Sequence, residues 1–312
     1  MNGGGKESNF ASAVAYLHED AACVDAFLRA LSAMLKAHFK QYEIIVVNDA
    51  APEEAVRAVR AFVTDTDGGA PVTLVNMSVR QGLELAMNAG LDAAIGDFLF
   101  EFDVMAPACA GDVAFAAYEK ALEGHDIVSV GPEHDRSLTS AAFYRLFNAT
   151  SGSRYPVQTD VMRVLSRRAL NRVHAVSPTP AYRKAAYAAC GLRLCAMKVP
   201  GLSAGADGNR PMRLSLAMDA LALYTNAAYR LSCTVALVML GLTLAELIYT
   251  LAVFLGGGKP IEGWTTTMFV LTVGFFGVFL ILAIVLKYLS LLVDLVFRQQ
   301  KYLVEGVEKL QP

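Results

Sequence analysis

Two predicted strands end in an aspartate, and the second is followed by an unexpected residue. The stretch YEIIVVND ends at Asp49, and FLFEFD ends at Asp103, two positions before Met105. A strand ending in Asp-x-Asp is typical of a site for a divalent cation and a diphosphate, because Mg²⁺ and Mn²⁺ take oxygen ligands. Here a thioether replaces the second carboxylate. The stretch is therefore a metal site that works with one carboxylate, a site that has lost its metal, or only a strand end.

The segments around these aspartates alternate between strands and helices. This alternation predicts a mostly parallel sheet covered by helices on both faces, in which ligands bind beyond the carboxyl ends of the strands. We therefore expect Asp49 and Asp103 to share one rim. The predicted strands are Ala13–Leu17, Tyr42–Asp49, Val72–Val75, Phe98–Asp103 and Ile127–Val130, and the predicted helices cover Asp20–His38, the residues from Pro52 onward, and Gln81–Ile95.

Composition and missing motifs narrow the function. The net charge is −2 and the pI about 6.2, so no basic surface predicts a nucleic-acid partner. The sequence has no GxGxxG after the first strand and no GxxxxGK[ST], which argues against a glycine-rich phosphate loop. The five cysteines form no CxxC and are odd in number, which indicates reduced thiols rather than disulfides or a zinc site.

Two long apolar runs lie near the C-terminus and raise the mean hydropathy to +0.41. Leu231–Leu255 and Phe269–Leu286 each reach the length of roughly 20 residues that a helix needs to cross a membrane. The short link between them is rich in Gly and Pro, which predicts a transmembrane hairpin. The alternative is a pair of buried core helices. Gly241, Gly274 and Gly277 would allow close helix contacts, and we expect a homo-oligomer.

The distribution of Lys and Arg predicts the orientation of the hairpin. Basic residues precede the first run and follow the second, whereas the link has only Lys259. By the positive-inside rule the N-terminal domain and the C-terminus are then cytoplasmic. The start, MNGGGKESNF, has no apolar core, so we expect no signal peptide there.

The expected organisation is an α/β domain followed by membrane segments. An amphipathic stretch after the second span predicts an interfacial helix at the C-terminus. The predicted boundaries are 1–208 for the cytoplasmic domain, 209–230 for a juxtamembrane amphipathic segment, 231–255 for the first transmembrane helix, 256–264 for the extracytoplasmic link, 265–286 for the second transmembrane helix, and 287–312 for the interfacial helix and tail.

The order of motifs resembles the inverting family 2 glycosyltransferases of GT-A (Rossmann-like) fold. It is most similar to the branch that makes polyprenyl-phosphate sugars, as dolichyl-phosphate mannose synthase and bactoprenol glucosyl transferases do. The motifs that carry the resemblance are AYLHED (Ala15–Asp20, family PVYNEE), EIIVVNDAAPEE (family VIVVNDGSTD), the run from Asn76 to Asp103 (with Gly82, Ala86, Gly90, Ala94, Gly96 and Asp97 in step), QTDVMRVLSRRAL (Gln158–Leu170, family GDFRLLDRR) and QQKYLVEG (family RPxYxVxE).

The resemblance implies a role for each matching residue. Glu19 and Asp49 would contact the nucleoside of a nucleotide sugar. Asp103 would hold Mg²⁺ or Mn²⁺ on the diphosphate, and Arg163 would face the phosphate of the lipid acceptor. Asp160 would orient Arg163 or bind the sugar, and Arg136 would be a further acceptor-phosphate residue.

The implied function is transfer of a hexose from a UDP- or GDP-sugar to polyprenyl phosphate on the cytoplasmic face of a membrane. A phosphate monoester is already anionic near neutral pH, since its second pKa is about 6, so the reaction needs no general base. The alternative is a degenerate transferase-like protein that acts as a binding or scaffold partner, an alternative that Met105 and Ala50 motivate. If Met105 marks a lost ligand, we expect Met105→Asp to restore activity.

Overall fold

The structure is a computed structural model of the chain. It describes residues 5–18, 22–65, 70–133, 138–176, 180, 182–202, 227–256, 263–297 and 302–311. The chain forms two compact units. One comprises Met1–Ala217 together with Arg298–Pro312, and the other is Met218–Phe297.

The first unit is built on one eight-stranded mixed sheet. Its strand order is β7-β5-β6-β4-β1-β2-β3-β8. The four central strands, in the order β4-β1-β2-β3, run parallel, whereas β6 and β8 run antiparallel to their neighbours. The strands are β1 (Glu7–Leu17), β2 (Phe39–Asn48), β3 (Val72–Met77), β4 (Phe98–Phe102), β5 (Ile127–Pro132), β6 (Met162–Ser166), β7 (Leu194–Val199) and β8 (Val304–Leu310).

Helices connect most of these strands, as expected for parallel neighbours, which need crossover connections. The helices are α1 (Val24–His38), α2 (Glu53–Thr64), α3 (Leu83–Ala93), α4 (Pro107–Ala110), α5 (Asp112–Leu122), α6 (Leu138–Thr150), α7 (Arg167–Val176), α8 (Arg183–Ala189), α9 (Ala227–Leu255) and α10 (Trp264–Phe297).

Local sequence explains where α2 begins and which face of α1 is buried. Pro52 precedes α2 and fixes its own backbone dihedral, while Glu53 and Glu54 lie in the first turn, where the helix dipole favours acids. In α1, Phe27, Leu28, Leu31, Met34 and Leu35 are buried at helical spacing, which explains why this face packs on the sheet. The predicted α/β domain followed by two apolar helices is confirmed.

The C-terminal tail contains a strand that the sequence analysis did not predict. Residues Val304–Leu310 form β8, which pairs antiparallel with β3 and so belongs to the first unit. The alternation of exposed and half-buried residues along β8 is that of an edge strand. The sequence analysis did not predict this strand, because its alternating pattern is satisfied only by an edge that the tertiary fold supplies, and the cytoplasmic position of the tail stays a prediction.

The two apolar helices of the second unit pack against each other. Both contain a segment long and apolar enough to cross a membrane, Cys233–Val253 in α9 and Thr266–Leu286 in α10. Most side chains of these segments are exposed, which is not the pattern of buried core helices. Helix α10 runs unbroken to Phe297, so the segment from 287 continues the second apolar helix, and its interfacial position stays a prediction. No Gly or Pro interrupts this stretch, and nothing else in the sequence ends the helix there.

Gly90 lets α3 pack directly on the sheet. A Cβ at this position would lie 2.5 Å from Val14 Cγ1 and 2.5 Å from Val47 Cγ2, both side chains of the central strands. Contacts this short require the helix to move away from β1 and β2. Helix α3 depends on a glycine here despite the intrinsic cost of glycine within a helix.

We predict that Gly90→Ala destabilises the sheet domain by about 1–3 kcal/mol, because overpacking outweighs the gain in helix propensity. Denaturation followed by circular dichroism measures the change. Gly306→Ala, on the edge strand β8, is the control, since nothing lies within 4 Å of a Cβ at that position. Equal stability of the two variants would contradict the assigned role of Gly90.

Candidate active site

Strand pairing brings an arginine and a glutamate together inside the sheet domain. In the antiparallel register of β4 and β6, Glu101 is directly opposite Arg163, so the two side chains share one face. Asp103 follows Glu101 by two residues just beyond β4 and meets the same arginine. All three residues are buried. The carboxyl end of β4 therefore carries a charged cluster and not an open pair of metal ligands.

The Arg163 guanidinium is fully engaged by carboxylates. Its Nη1 donates to Glu101 Oε2 at 2.7 Å and to Asp103 Oδ1 at 3.3 Å. Its Nη2 donates to Asp103 Oδ2 at 2.6 Å and to Asp160 Oδ1 at 2.7 Å, and its Nε donates to Asp160 Oδ2 at 2.9 Å. An arginine has five N–H donors, and these five bonds use all of them. An anion can reach this guanidinium only by replacing one of its carboxylate partners.

Helix α8 adds two more cations from the start of its first turn. Arg183 Nη2 donates to Asp103 Oδ1 at 2.9 Å, and Arg183 Nε donates to Glu84 Oε2 of α3 at 2.8 Å. Lys184 Nζ forms an ion pair with Asp160 Oδ1 at 2.6 Å and donates a hydrogen bond to the Asp160 carbonyl at 3.1 Å. Both Asp103 oxygens thus accept hydrogen bonds from guanidinium groups.

The cluster shifts the pKa values of Asp103, Asp160, Arg163 and Lys184 in the directions that keep these four groups charged. Burial by itself raises the pKa of Asp103, but Arg163, Arg183 and Lys184 outweigh burial and hold that pKa well below its usual range. The pKa of Asp160 is lowered in the same way, against burial, by Arg163 and Lys184. Burial lowers the pKa of Arg163 and Lys184, whereas the neighbouring carboxylates raise both above their ordinary values.

Tyr187 completes the cluster one turn further along α8. Its hydroxyl donates to Glu101 Oε1, and burial together with that glutamate raises the pKa of Tyr187 well above its ordinary value. The phenol therefore stays protonated and acts as a donor. Glu101, in mid-strand and without contact to water, is held by Arg163 on one side and by Tyr187 on the other.

A small cavity opens beside this cluster, between α8 and the strands β5, β6 and β7. Its polar lining consists of Ser129, Gln158, Asp160, Arg163, Lys184 and Tyr187. Lys184 is the most exposed charged group of the cluster, with 14% of its side chain accessible against 1% for Arg163 and 0% for Arg183.

Met105 takes no part in the site. Strand β4 ends at Phe102, and Pro107 begins α4, so the chain turns away between them. The alternation that placed Glu101 and Asp103 on one face stops there, and Met105 is buried with the apolar core of the domain. The residues present do not fit a divalent cation. Asp103 is occupied by guanidinium groups, and the described part of the chain contains no group of three His, Cys, Asp or Glu that could hold a metal ion.

Asp49 occupies the expected strand end but is fully buried. Its carboxylate accepts hydrogen bonds from the backbone N–H of Gln81 at 2.7 Å, the backbone N–H of Gly82 at 2.8 Å and the Tyr16 hydroxyl at 2.9 Å. The carboxylate thereby caps the start of α3. Nucleotide contact by Asp49 stays a prediction. Ala50, which follows it, has φ of 54°, in the left-handed region that favours glycine.

The structure brings together Asp103, Asp160 and Arg163, three of the predicted site residues, and their catalytic and ligand-binding roles stay predictions. Glu19 and Arg136 lie outside the described residues. Sequence reasoning did not single out Glu84 and Glu101 as site residues. Glu101 carries a signal that could have found it, since it is a charge within an apolar strand at the spacing that shares a face with Asp103.

Comparison with known proteins supports the resemblance in part. Residues 19–104 match the family model described as Glycosyl transferase family 2, a segment that contains β2, β3 and β4 with α1, α2 and α3. The resemblance predicted from the motifs is confirmed for this segment. The polyprenyl-phosphate branch stays a prediction.

Two curated proteins and two solved structures are similar to the chain. Uncharacterized glycosyltransferase YkcC of Bacillus subtilis (strain 168) is 22% identical over 284 residues, which cover 86% of each chain. Uncharacterized glycosyltransferase sll0501 of Synechocystis sp. is 24% identical over 160 residues, 49% of this chain and 48% of its own length. The chain thus spans about half of that relative.

Among solved structures, mannosyltransferase PcManGT from Pyrobaculum calidifontis, in complex with GDP-Man and Mn²⁺, has a TM-score of 0.48 and 20% identity. The match covers 69% of this chain and 63% of that one. Glucosyl-3-phosphoglycerate synthase from Mycobacterium tuberculosis has a TM-score of 0.47 and 14% identity, over 69% of this chain and 78% of that one.

We predict that Met105→Asp destabilises the sheet domain by several kcal/mol and does not create a metal site, because the new carboxylate replaces a buried core side chain without a cation beside it. Thermal denaturation with and without Mn²⁺ measures both effects. Met105→Leu, which keeps the apolar volume, should change stability by less than about 1.5 kcal/mol. A Met105→Asp protein that is as stable as the parent and gains stability from Mn²⁺ would show that this side chain reaches the site.

The charged cluster also predicts an acid-sensitive fold. The pKa values of Asp103 and Asp160 are lower in the folded protein than in the unfolded chain, so the unfolded state binds more protons in acid. Their stabilising contribution is complete above the unfolded pKa of about 4 and is lost as the pH falls towards the folded values. We expect the unfolding midpoint, measured by circular dichroism, to fall steadily below about pH 4.

Asp25→Asn is the control for this acid dependence, since Asp25 forms an exposed pair with Arg29 on α1. This variant should show the same fall in the unfolding midpoint as the parent. An unfolding midpoint that does not change between pH 5 and pH 2 would mean that the buried carboxylates are not held ionised in the folded protein.

Proposed function

We propose that this protein transfers a sugar from a nucleotide sugar to polyprenyl phosphate at the cytoplasmic face of a membrane, with inversion at the anomeric carbon. The observation that carries the proposal is the family 2 match over residues 19–104, which contains the two strands that lead to Asp49 and Asp103. Two relatives that bear the name glycosyltransferase, one of them matched over 86% of both chains, support it.

A phosphate-containing acceptor suits the proposed reaction better than a neutral alcohol. A sugar hydroxyl needs a base to remove its proton, whereas a phosphate monoester is already an anion near neutral pH. In the proposed reaction a phosphate oxygen forms a bond to the anomeric carbon while the bond to the nucleoside diphosphate breaks. The protein has to orient the two anions and compensate their charge, which requires cations such as Arg163 and Lys184 rather than a proton acceptor.

The pairing of β8 supports two membrane crossings. The chain leaves the sheet domain before α9 and returns to it after α10, because β8 is hydrogen-bonded to β3. If the helices span a membrane, both ends must lie on one side, which an even number of crossings satisfies. The Lys and Arg residues that flank the two spans favour the cytoplasm as that side.

Self-association through the hairpin remains part of the proposal. A Cβ at Gly241, Gly274 or Gly277 would meet nothing within 4 Å, so these glycines are not needed for the contact between α9 and α10. Small residues on the outside of a hairpin would allow a second copy of the chain to approach closely.

A transferase-like protein without catalysis is the second candidate. Two observations favour it: the carboxylate of Asp103 is occupied by two arginines, and Met105, which stands in place of the second carboxylate of the motif, is buried in the core. Such a protein would bind lipid phosphate or a partner without forming a sugar-lipid.

The test of the proposed function is a donor screen with full-length protein in lipid. We expect a labelled sugar to move from one UDP- or GDP-sugar to polyprenyl phosphate and to appear in a lipid-soluble product. Arg163→Lys should lower the rate at least about tenfold, because a lysine cannot reproduce the forked contacts of the guanidinium.

Arg168→Lys is the matched control in the screen, since Arg168 is 74% exposed and pairs only with Asp126 among the described residues. It should keep the parental rate. Absence of a sugar-lipid with every common donor would refute transfer and support the non-catalytic candidate.

A further inference from the structure

Gln81 connects the C-terminal tail to the loop that follows β3. Its side-chain Nε2 donates to the Leu303 carbonyl at 2.6 Å, and its Oε1 accepts from the Leu303 N–H at 2.8 Å. The amide thus engages both backbone groups of Leu303, as a neighbouring strand would. The Gln81 backbone N–H donates in turn to Asp49 Oδ1 at 2.7 Å. One residue therefore contacts the tail with its side chain and the Asp49 carboxylate with its main chain.

A second series of hydrogen bonds leads from β8 to the turn after β2. Glu308 Oε1 accepts from Asn76 Nδ2 at 2.9 Å, and Asn76 Oδ1 accepts from Asn48 Nδ2 at 2.8 Å. Asn48 Oδ1 accepts from the backbone N–H of Ala51 at 2.9 Å. Ala50 holds a φ of 54° in this turn, a conformation that is unfavourable for alanine and needs support from its surroundings.

Both series end at the carboxyl edge of the parallel strands, where sheets of this topology bind their ligands. The loop at residues 78–82 follows β3 at this edge, and its first three residues, Ser78, Val79 and Arg80, are exposed. Packing therefore contributes little to the order of this loop. A loop that a ligand has to order on binding lowers the affinity for that ligand, whereas a loop that is already held in place does not.

We propose that Gln81 is a positioning residue of the nucleotide-sugar site, and that its bonds to Leu303 use the C-terminal tail to hold residues 78–82 in the geometry that binds the donor. The inference rests on the proposed function for the identity of the donor. It adds to the site a segment outside the family match, since Leu303 lies beyond residues 19–104 and follows α10 in the chain. The tail acts on donor binding through Gln81 and not by contact with the substrate.

The experiment compares Gln81→Met with the parent as full-length protein in nanodiscs. Methionine keeps the length of the side chain and loses both bonds to Leu303, whereas the backbone N–H to Asp49 remains. Calorimetry in Mn²⁺ and in EDTA measures the affinity for GDP and UDP, and the donor screen gives kcat and KM for the nucleotide sugar.

We expect the nucleotide that the parent binds to bind Gln81→Met about 5- to 30-fold more weakly, the effect of losing two ordinary hydrogen bonds. KM for the nucleotide sugar should rise by the same factor, with kcat within about twofold of the parent, because the loop is ordered in the substrate complex and in the transition state alike. Without nucleotide, hydrogen exchange of residues 78–82 should be faster in Gln81→Met than in the parent.

Tyr302→Phe is the matched control, since it removes a hydrogen bond of the same tail that leads elsewhere. The Tyr302 hydroxyl donates to Asp92 Oδ2 at 2.6 Å, near the end of α3 and not at its start. This variant should match the parent in nucleotide affinity, in KM and in the hydrogen exchange of residues 78–82.

Four outcomes would overturn the inference. These are an unchanged nucleotide affinity in Gln81→Met, an equal loss of affinity in Tyr302→Phe, a fall in kcat without a rise in KM, and a parent protein that binds neither GDP nor UDP. Failure of the proposed function alone has a different signature. Nucleotide would bind and depend on Gln81, while no donor yields a sugar-lipid.

Discussion

The burial of the Arg163 guanidinium is the constraint on which the rest of the site depends. A charge removed from water is tolerated only when its neighbours satisfy it, and removing one partner of a buried pair costs about 3–5 kcal/mol. Arg163 meets this requirement with carboxylates from β4 and from the loop before β6. These contacts hold the end of β4 and the start of β6 in one arrangement, and Arg183 and Tyr187 attach α8 to the same group. The position of the cavity follows from that arrangement.

The end of β4 determines which charged side chains reach the site. Residues two apart along an extended chain return to the same face, and β4 thereby places Glu101 and Asp103 against one arginine. In this protein the strand stops at Phe102 and the chain turns into α4. Asp103 remains beside the arginines, and Met105 packs into the core. The cations of the site are consequently side chains of β6 and α8.

Strand β8 and the residues just before it bind to the sheet domain near Asp49. Besides its pairing with β3, the segment before β8 exchanges hydrogen bonds with Gln81: the Gln81 amide donates to the Leu303 carbonyl at 2.6 Å, and the Leu303 N–H donates to Gln81 Oε1 at 2.8 Å. Tyr302 donates to Asp92 of α3 at 2.6 Å. The Gln81 backbone N–H also donates to the Asp49 carboxylate, so the residues that follow the hairpin help to hold the loop at the start of α3. Strand β8 also covers the edge of β3, an edge that would otherwise be exposed to pairing with other chains.

The sequence by itself determined the α/β alternation, the two apolar helices and the aspartates at the ends of β2 and β4. These features are local, because strand and helix periodicity, chain length and apolar content are written in consecutive residues. It also carried the motifs of residues 19–104 that the family comparison confirms.

The tertiary structure alone decided which charges meet. Glu84, Glu101 and Lys184 join the site through contacts between elements far apart in the chain, and no local pattern shows that Asp103 is occupied by two arginines. Likewise, β8 becomes a strand because β3 offers it an edge, and Met105 becomes a core residue because the chain turns before reaching it. Burial and ion pairing are properties of the assembled fold. They decide whether a carboxylate can receive a ligand or is already neutralised by neighbouring cations.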